Sequence, residues 1–187
     1  MNDSMAPRTE IRLAGEGGQG MILAGIILAE AASIYDGKMA VQTQSYGPEA
    51  RGGASKSEVV IADGEIDHPE VLSADVVVTL SQEAYDKFAT SVKSGGLLIV
   101  DDEKVHQIRI PDAVKIPISR LAFETTGKSI TANTVALGVL VGLTGVVSRE
   151  AIDKAVTARA PRGTEEMNRK ALEAGFEAAG RIGDVKG

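Results

Sequence analysis

Two glycine-rich segments hold the residues whose types and spacing could bind a ligand. The first, loop one (residues 15–20), reads Gly-Glu-Gly-Gly-Gln-Gly and follows a mainly apolar run at residues 11–14. A GxGxxG spacing between a strand and a helix lets the backbone approach a phosphate group at the helix N-terminus. The alternative is that these glycines only permit tight packing of the strand against the helix. The candidate ligand contacts of loop one are Gly15, Gly17, Gly18, Gln19 and Gly20.

A dinucleotide site would need more than these glycines. Its fingerprint includes an acidic residue at the end of the second strand, where the carboxylate binds a ribose hydroxyl. Residues 41–45 contain no carboxylate, and the next acidic residue is Glu49. The sequence therefore disfavours a nicotinamide enzyme, and a stand-alone nucleotide-binding protein stays open as an alternative.

The second segment, loop two (residues 45–53), reads Ser-Tyr-Gly-Pro-Glu-Ala-Arg-Gly-Gly. Its arginine, Arg51, could bind a phosphate or a carboxylate through two parallel hydrogen bonds. Alternatively, Arg51 forms an ion pair with Glu49 or with an acidic residue of a neighbouring subunit. The candidate contacts of loop two are Ser45, Tyr46, Gly47, Glu49, Arg51 and Gly52.

The surrounding residues predict an α/β fold, a three-layer sandwich around a mostly parallel sheet with a helical C-terminal third. The predicted strands are 10–14, 39–44, 56–62, 76–80, 97–100 and a short one within 113–116, and the predicted helices include 21–35, 120–125, 133–143, 149–159 and 165–181. Residues 10–44 should form one right-handed βαβ unit. The strand at 56–62 should lie nearer the sheet edge and could run antiparallel. Ser81, Ser148 and Thr164 are the predicted helix N-caps.

Composition and length limit the classes of function. The chain has 187 residues, a formal net charge of −6 and no cysteine. Nucleic-acid binding is disfavoured because it requires clustered Lys and Arg. Without cysteine the chain forms no disulfide and holds no iron–sulfur cluster through thiolates. His68 and His106 lie far apart in sequence and suggest no metal site.

The same considerations predict domain organisation and location. Residues 1–9 are expected to be a flexible N-terminal segment, and residues 10–183 a single domain. The N-terminus lacks the apolar core of a signal peptide, and no apolar run reaches the length of a membrane span. We therefore expect a cytoplasmic protein without membrane contact.

Taken together, these segments resemble the γ subunit, or γ domain, of the 2-oxoacid:ferredoxin oxidoreductases. Besides the two loops, the similar segments are residues 55–59, residues 80–85, Asn133 at the start of an apolar helix, and residues 164–168 with Ala171 and Gly175. The resemblance spans about residues 10–180. The complete loop two is most similar to the 2-oxoglutarate enzymes, while the pyruvate, branched-chain and indolepyruvate enzymes stay open.

This resemblance implies a fold like the γ domain of pyruvate:ferredoxin oxidoreductase and a reaction that the chain does not perform alone. A 2-oxo acid loses CO₂ on thiamine diphosphate, electrons pass through iron–sulfur clusters to ferredoxin, and the acyl group is transferred to coenzyme A. The implied partners are α and β catalytic subunits and a ferredoxin-like δ subunit, which would hold the thiamine diphosphate, the Mg²⁺ and the 4Fe-4S clusters. For this chain the resemblance implies no catalytic residue and no metal, a role in assembly, and contacts that the two loops could make to coenzyme A. Self-association stays open.

Overall fold

A single mixed sheet forms the centre of the molecule. The computed structural model describes residues 7–46 and 53–185, the side chains of 184 and 185 excepted. Its strands are β1 (Arg8–Glu16), β2 (Met39–Ser45), β3 (Ala54–Ala62), β4 (Ala74–Thr79), β5 (Val92–Asp101) and β6 (Val114–Ile116). Within these residues the strand order is β2-β3-β1-β4-β5-β6. Strand β3 pairs antiparallel with both β1 and β2, and the remaining neighbours pair parallel.

Helices follow three of the strands, β1, β4 and β6, and dominate the C-terminal part as predicted. They are α1 (Met21–Glu30), which continues as a π-helix (Ala31–Tyr35), α2 (Gln82–Phe88), α3 (Ile118–Thr126), α4 (Ala132–Thr144), α5 (Arg149–Arg159) and α6 (Glu165–Val185), with short 3₁₀ turns at Ala89–Ser91 and Ser129–Thr131. In the described part of the chain, no helix is both long enough and apolar enough to cross a bilayer.

The predicted α/β class and layered architecture are confirmed, and the two outer layers differ. One face of the sheet packs against α1, α3, α4, α5 and α6 in the main apolar core. The other face is covered by α2 together with segments that connect the strands, through residues such as Val71, Tyr85 and Val105. The helical layer is therefore concentrated on one side of the sheet.

The prediction of a simple βαβ unit over residues 10–44 is wrong in one respect, because β3 lies between β1 and β2. Residues 56–62 do lie nearer the edge than β1, as predicted, but one strand in from it, since β2 is the edge strand. The reason is in the side chains: residues 59–62 are apolar and fully buried, whereas β2 has polar residues at 42–44 and is only partly buried. The antiparallel direction that the alternating residues of β3 allowed is confirmed.

Two of the three predicted N-caps are formed as expected. The Ser81 hydroxyl accepts a hydrogen bond from the Ala84 amide at 3.2 Å, and the Ser148 hydroxyl accepts one from the Ala151 amide at 3.0 Å. Thr164 precedes α6, but its hydroxyl donates to the Pro161 carbonyl at 2.6 Å. The hydroxyls of Ser81 and Ser148 thus satisfy amides that the first helical turn leaves free.

Helices α4 and α6 cross at very short distance, which fixes the N-terminal ends of both helices beside loop one. A Cβ atom on Gly138 would lie 2.2 Å from the Leu172 carbonyl oxygen, and one on Gly175 would lie 2.3 Å from that of Val135. Only glycine allows the two backbones to approach so closely. Gly175 is among the residues that carry the family resemblance, and its close contact with α4 is the physical reason for a glycine there.

Candidate functional site

The described parts of the two loops lie at the same edge of the sheet. Strands β1 and β2 run in the same direction and end there, and β3 begins between them. Glu16 pairs with Ala54, and Ser45 pairs with Lys56. Two strand spacings of about 4.8 Å separate β1 from β2, so the two strand ends lie roughly 10 Å apart. This is the edge at which α/β sheets place their ligands.

Loop one turns sharply between β1 and α1 and exposes its middle. Gly15 and Glu16 still belong to β1, and Gly20 is the N-cap of α1 with a φ of 74°. Gly18 also has a positive φ, 92°. A Cβ atom on Gly17 or Gly18 would meet no other atom within 4 Å. These two glycines form an open apex in front of the free amides at the N-terminus of α1.

The side chain of Gln19 braces loop one from within. Its Nε2 donates to the Leu80 carbonyl at 2.9 Å, and its Oε1 accepts from the Glu16 amide at 2.7 Å. A Cβ atom on Gly15 would lie 2.5 Å from that Oε1. Gln19 therefore links the loop to the end of β4, and Gly15 gives the Gln19 side chain room to do so.

An amide and hydroxyl network holds the other end of loop one. Asn133 Nδ2 donates to the Gly20 carbonyl at 3.3 Å, and a Cβ atom on Gly20 would lie 2.6 Å from the same nitrogen. Asn133 Oδ1 accepts from the Thr134 amide at 2.9 Å, and Thr134 Oγ1 lies 3.1 Å from Asn168 Oδ1. Asn168 Nδ2 in turn donates to the Thr164 carbonyl at 3.0 Å. Sequence reasoning noted this asparagine and residues 164–168 only as family motifs, and the network shows what they contact.

Loop two is described only at its two ends. Ser45 closes β2, and Tyr46 follows it with 68% of its surface exposed. The predicted contacts Gly47, Glu49, Arg51 and Gly52 lie outside the described residues. The structure thus places Ser45 and Tyr46 at the same edge as loop one and leaves the other four as sequence-based expectations.

The return of loop two into β3 is anchored by Glu83. Its Oε1 accepts from the Ala54 amide at 3.2 Å and from Lys87 Nζ at 2.5 Å. The hydrogen bond from Lys87, followed by the one from Ala54, lowers the pKa of Glu83. The carboxylate stays charged at neutral pH and links α2 to the start of β3.

A cluster of charged residues lies on β1 and β3, on the sheet face opposite α1. Glu58 Oε1 accepts from Arg12 Nε at 2.7 Å and from Lys56 Nζ at 2.9 Å. Arg12 also donates to the Val71 carbonyl at 2.6 Å, and both cations lie within 6 Å of the centre of the Phe88 ring. With two cations and one carboxylate, the cluster carries a net positive charge. Sequence reasoning missed it, although Lys56 and Glu58 stand two residues apart on one strand and so share a face.

The described residues contain no group of three or more His, Asp or Glu side chains that could hold a metal ion. The site is thus built of glycine backbone, amide side chains and a nearby positive charge. Such groups can bind anions and position a ligand or a partner.

Comparison with known proteins agrees with this description. Residues 10–178 match the family model of pyruvate ferredoxin/flavodoxin oxidoreductase. The chain belongs to this family. The family identified from the sequence is thereby confirmed, and the match runs from β1 into α6.

Relatives within this family are similar over nearly the whole chain. The 2-oxoglutarate synthase subunit KorC of Methanocaldococcus jannaschii is 53% identical over 176 residues, which cover 92% of this chain and 94% of that protein. The solved γ subunit of a keto/oxoacid ferredoxin oxidoreductase from Geobacter sulfurreducens PCA is 52% identical with a TM-score of 0.85, covering 94% of this chain and 98% of that one. The 2-oxoglutarate:ferredoxin oxidoreductase from Magnetococcus marinus, solved with 2-oxoglutarate, coenzyme A and succinyl-CoA, is 25% identical with a TM-score of 0.82. That match covers 93% of this chain but 31% of the Magnetococcus chain.

Proposed function

We propose that this chain is the γ subunit of a 2-oxoglutarate:ferredoxin oxidoreductase. The observation that carries the proposal is the 53% identity to a 2-oxoglutarate synthase subunit along nearly the full length of both chains. The complex would convert 2-oxoglutarate, coenzyme A and two oxidised ferredoxins into succinyl-CoA, CO₂, a proton and two reduced ferredoxins. Each ferredoxin takes up one of the two electrons released by the decarboxylation.

Within this complex the redox and carbanion chemistry is assigned to other chains. The sequence has no cysteine with which to hold an iron–sulfur cluster. The 4Fe-4S clusters, the thiamine diphosphate and its Mg²⁺ are therefore proposed to belong to α, β and ferredoxin-like δ subunits. The γ chain itself would contribute assembly and contacts to coenzyme A.

The open apex of loop one fits a phosphate of coenzyme A. Gly17 and Gly18 leave space in front of the α1 amides, since neither position is approached by another atom. The Arg12, Lys56 and Glu58 cluster lies on β1 and β3, the paired strands that end and begin at this edge, and its net positive charge favours an anion there. Bound there, coenzyme A supplies the thiol that accepts the acyl group, and this chain's residues would hold and orient it. The proposed contact surface is completed by residues of loop two: Ser45, Tyr46, Gly47, Glu49, Arg51 and Gly52.

The dinucleotide-binding alternative has less support. Strand β2 ends in Gln44 and Ser45 and so offers no carboxylate to a ribose. In addition, β3 separates β2 from β1, whereas a dinucleotide-binding unit pairs its first two strands directly.

The test is an anaerobic purification of the tagged chain from its source cells, followed by assays of the eluate. We expect thiamine-binding and cysteine-rich chains to co-purify and to reduce viologen in the presence of both 2-oxoglutarate and coenzyme A. Pyruvate, 2-ketoisovalerate and indolepyruvate serve as competing substrates in the same assay. Activity with one of these in place of 2-oxoglutarate would keep the family and overturn the substrate. A chain that purifies alone and binds NAD would overturn the proposed function.

A further inference from the structure

Helix α1 lies at the surface of the described structure and yet is apolar on all sides. Residues 21–29 contain no polar side chain, and Glu30 is the first charged residue of the helix. The inward face packs into the core through residues such as Ala24, Ile27 and Leu28. A surface helix of a protein that functions alone normally has polar residues on its outward face. An apolar outward face instead marks an interaction site.

The outward apolar residues of α1 and of the π-helix that continues it form a stripe, with Glu30 and Ser33 between its two halves. Ile22, Leu23 and Ile26 are half-buried or exposed, and the stripe continues onto the π-helix with Ile34 and Tyr35. Leu23 and Tyr35 are each 39% exposed, and Ile34 is 64% exposed. Leu23 and Ile22 stand three and four positions before Ile26, and Ile34 stands eight positions after it, spacings that place these residues along one side of the helix.

The charge nearest to this stripe is already neutralised. Glu30 accepts hydrogen bonds from the Arg159 guanidinium, one of them from Nε at 2.9 Å. The stripe therefore offers a partner apolar surface without an unpaired charge among these residues.

The edge strand beside α1 is equally unprotected. Within residues 7–46 and 53–185, strand β2 pairs with β3 alone, and α1 packs over both strands. Its seven residues include no charge and no proline, and its pairing with β3 is regular. Natural proteins usually protect an open edge of this length with a charge, a proline or a bulge. Met39 at its start is 49% exposed.

We propose that a catalytic subunit of the complex docks on the α1–β2 surface (Ile22, Leu23, Ile26, Ile34, Tyr35 and Met39–Ser45), through the apolar side chains of the helix and the uncharged edge strand. The proposal rests on the proposed function, since it takes the chain to be a subunit of such a complex. Loop one leads directly into α1, and β2 leads directly into loop two. The surface is thus continuous with the two loops that the proposed function assigns to partner and coenzyme A contacts.

A catalytic subunit is favoured over a second copy of this chain by the comparison with the Magnetococcus enzyme. The region similar to this chain makes up 31% of that longer polypeptide. There it is covalently joined to further sequence of more than its own length, so a neighbouring surface of a different kind is always available to it. An apolar, uncharged surface is what two permanently associated domains bury between them.

The test compares charged substitutions on and off this surface in the purified complex. Leu23→Glu and Ile34→Glu are both at exposed positions, so the isolated variant chains should unfold at the wild-type temperature. Phe123→Glu is the matched control, because Phe123 is 59% exposed on α3, which follows β6 at the opposite edge of the sheet. We expect the first two variants to lower the amount of catalytic subunit that co-purifies by about tenfold or more, and the control to leave it unchanged.

Two results would overturn the proposal. One is that both Leu23→Glu and Ile34→Glu co-purify with as much catalytic subunit as the wild-type chain does. The other is an isolated chain that sediments as a dimer and becomes monomeric in these variants while the complex still assembles, which would assign the surface to a second copy. A complex that depends on this surface but shows no activity with 2-oxoglutarate would support the docking surface and overturn only the proposed substrate.

Discussion

The four glycines of loop one have different surroundings. Gly15 and Gly20 are packed against the side chains of Gln19 and Asn133, whereas Gly17 and Gly18 have open space where a side chain would be. The first pair is needed for the fold of the loop, and the second pair is available to a ligand. A GxGxxG pattern alone does not separate these two uses.

Replacing Gly20 should therefore affect stability, whereas replacing Gly17 should affect ligand binding. Gly20→Ala places a Cβ 2.6 Å from Asn133 Nδ2 at a residue whose φ is 74°, and we expect it to lower the free energy of unfolding by roughly 1–2 kcal/mol. Gly17→Ala should change it by less than about 0.5 kcal/mol and act only on the coenzyme A dependence of the complex. Urea unfolding of both variants checks the first effect, and steady-state kinetics check the second. Equal stability of the two variants would contradict the distinction.

Asn133 is expected to position loop one. In Asn133→Asp an oxygen replaces the nitrogen that donates to the Gly20 carbonyl, while the acceptor for the Thr134 amide is kept. We expect faster hydrogen exchange at the amides of residues 17–20 and a higher KM for coenzyme A with little change in kcat. Asn168→Asp is the comparison, because it makes the same chemical change one residue further along the network, at a side chain that does not contact Gly20. Similar exchange at the loop in both variants would refute the role of Asn133.

Asp101 should make stability depend on pH in the acid range. Its carboxylate is fully buried and accepts hydrogen bonds from the Ser119 amide at 3.1 Å and from the Glu103 amide at 3.2 Å. Burial outweighs these bonds and raises the pKa of Asp101 above its ordinary value of 3.8. The native state thus holds the proton more tightly than the unfolded state, so its contribution is present at low pH and is lost as the pH rises through the raised pKa.

In Asp101→Asn this titration is absent. The difference in unfolding free energy between wild type and variant should be largest in acid and decrease as the pH rises above about 3.8. Urea unfolding at a series of pH values measures it. A difference that grows with pH would show that the pKa is lowered.

Among the elements, the α4–α6 contact constrains the sequence most strongly. A Cβ on Gly138 would lie 2.2 Å from a carbonyl oxygen of α6, so the helices must move apart to accept it. That movement would carry Asn133 and Asn168 with it, because they stand near the N-terminal ends of these two helices.

Gly138→Ala should consequently destabilise the protein by about 1–3 kcal/mol. Gly180→Ala is the matched control in α6, since a Cβ there meets nothing within 4 Å. The control should stabilise the protein by about 0.5–1 kcal/mol, because alanine favours a helix. Thermal unfolding of both variants measures these changes in stability. A Gly138→Ala variant as stable as the wild type would mean that the helices separate easily.

The sequence pattern predicted the elements better than their arrangement. The bounds of α5 were predicted to the residue, and α4, β4 and β6 within one or two. Apolar periodicity reports which side of an element is buried, but the position of β3 between β1 and β2 depends on pairing between strands. The polar residues of β2 were the local sign that it lies at the edge.

The candidate site was predictable only in its backbone. Glycine spacing located loop one and the edge of the sheet at which it lies. The contact that fixes its end joins Gly20 to Asn133, which is 113 positions away, and no local pattern contains such information. Arg12 likewise joins Lys56 and Glu58 in a charged cluster only because β1 and β3 are neighbours.

At the scale of the whole molecule, charge and apolar surface are separated. The chain has a formal net charge of −6, yet α1 up to Glu30 and all of β2 carry no charge.

Association through the α1–β2 surface should therefore be insensitive to salt. Raising the ionic strength from about 0.1 M to about 1 M shortens the Debye length from about 10 Å to about 3 Å and should leave the fraction of γ chain in the complex unchanged. Gel filtration at both ionic strengths measures this fraction, and dissociation in high salt would point to a charged interface instead.

The distance in sequence between loop one and the residues that hold it also bears on biosynthesis. The segment from β1 to β3 is complete when residue 62 has been made, whereas α4 and α6 are made much later. Contacts between distant residues form more slowly than local ones. The whole apolar surface of α1 is thus exposed on the nascent chain, because the helices that cover its inward side have not yet been made. Synthesis alongside the partner subunit would shorten that exposure, so the yield of soluble γ chain should depend on the chains made with it.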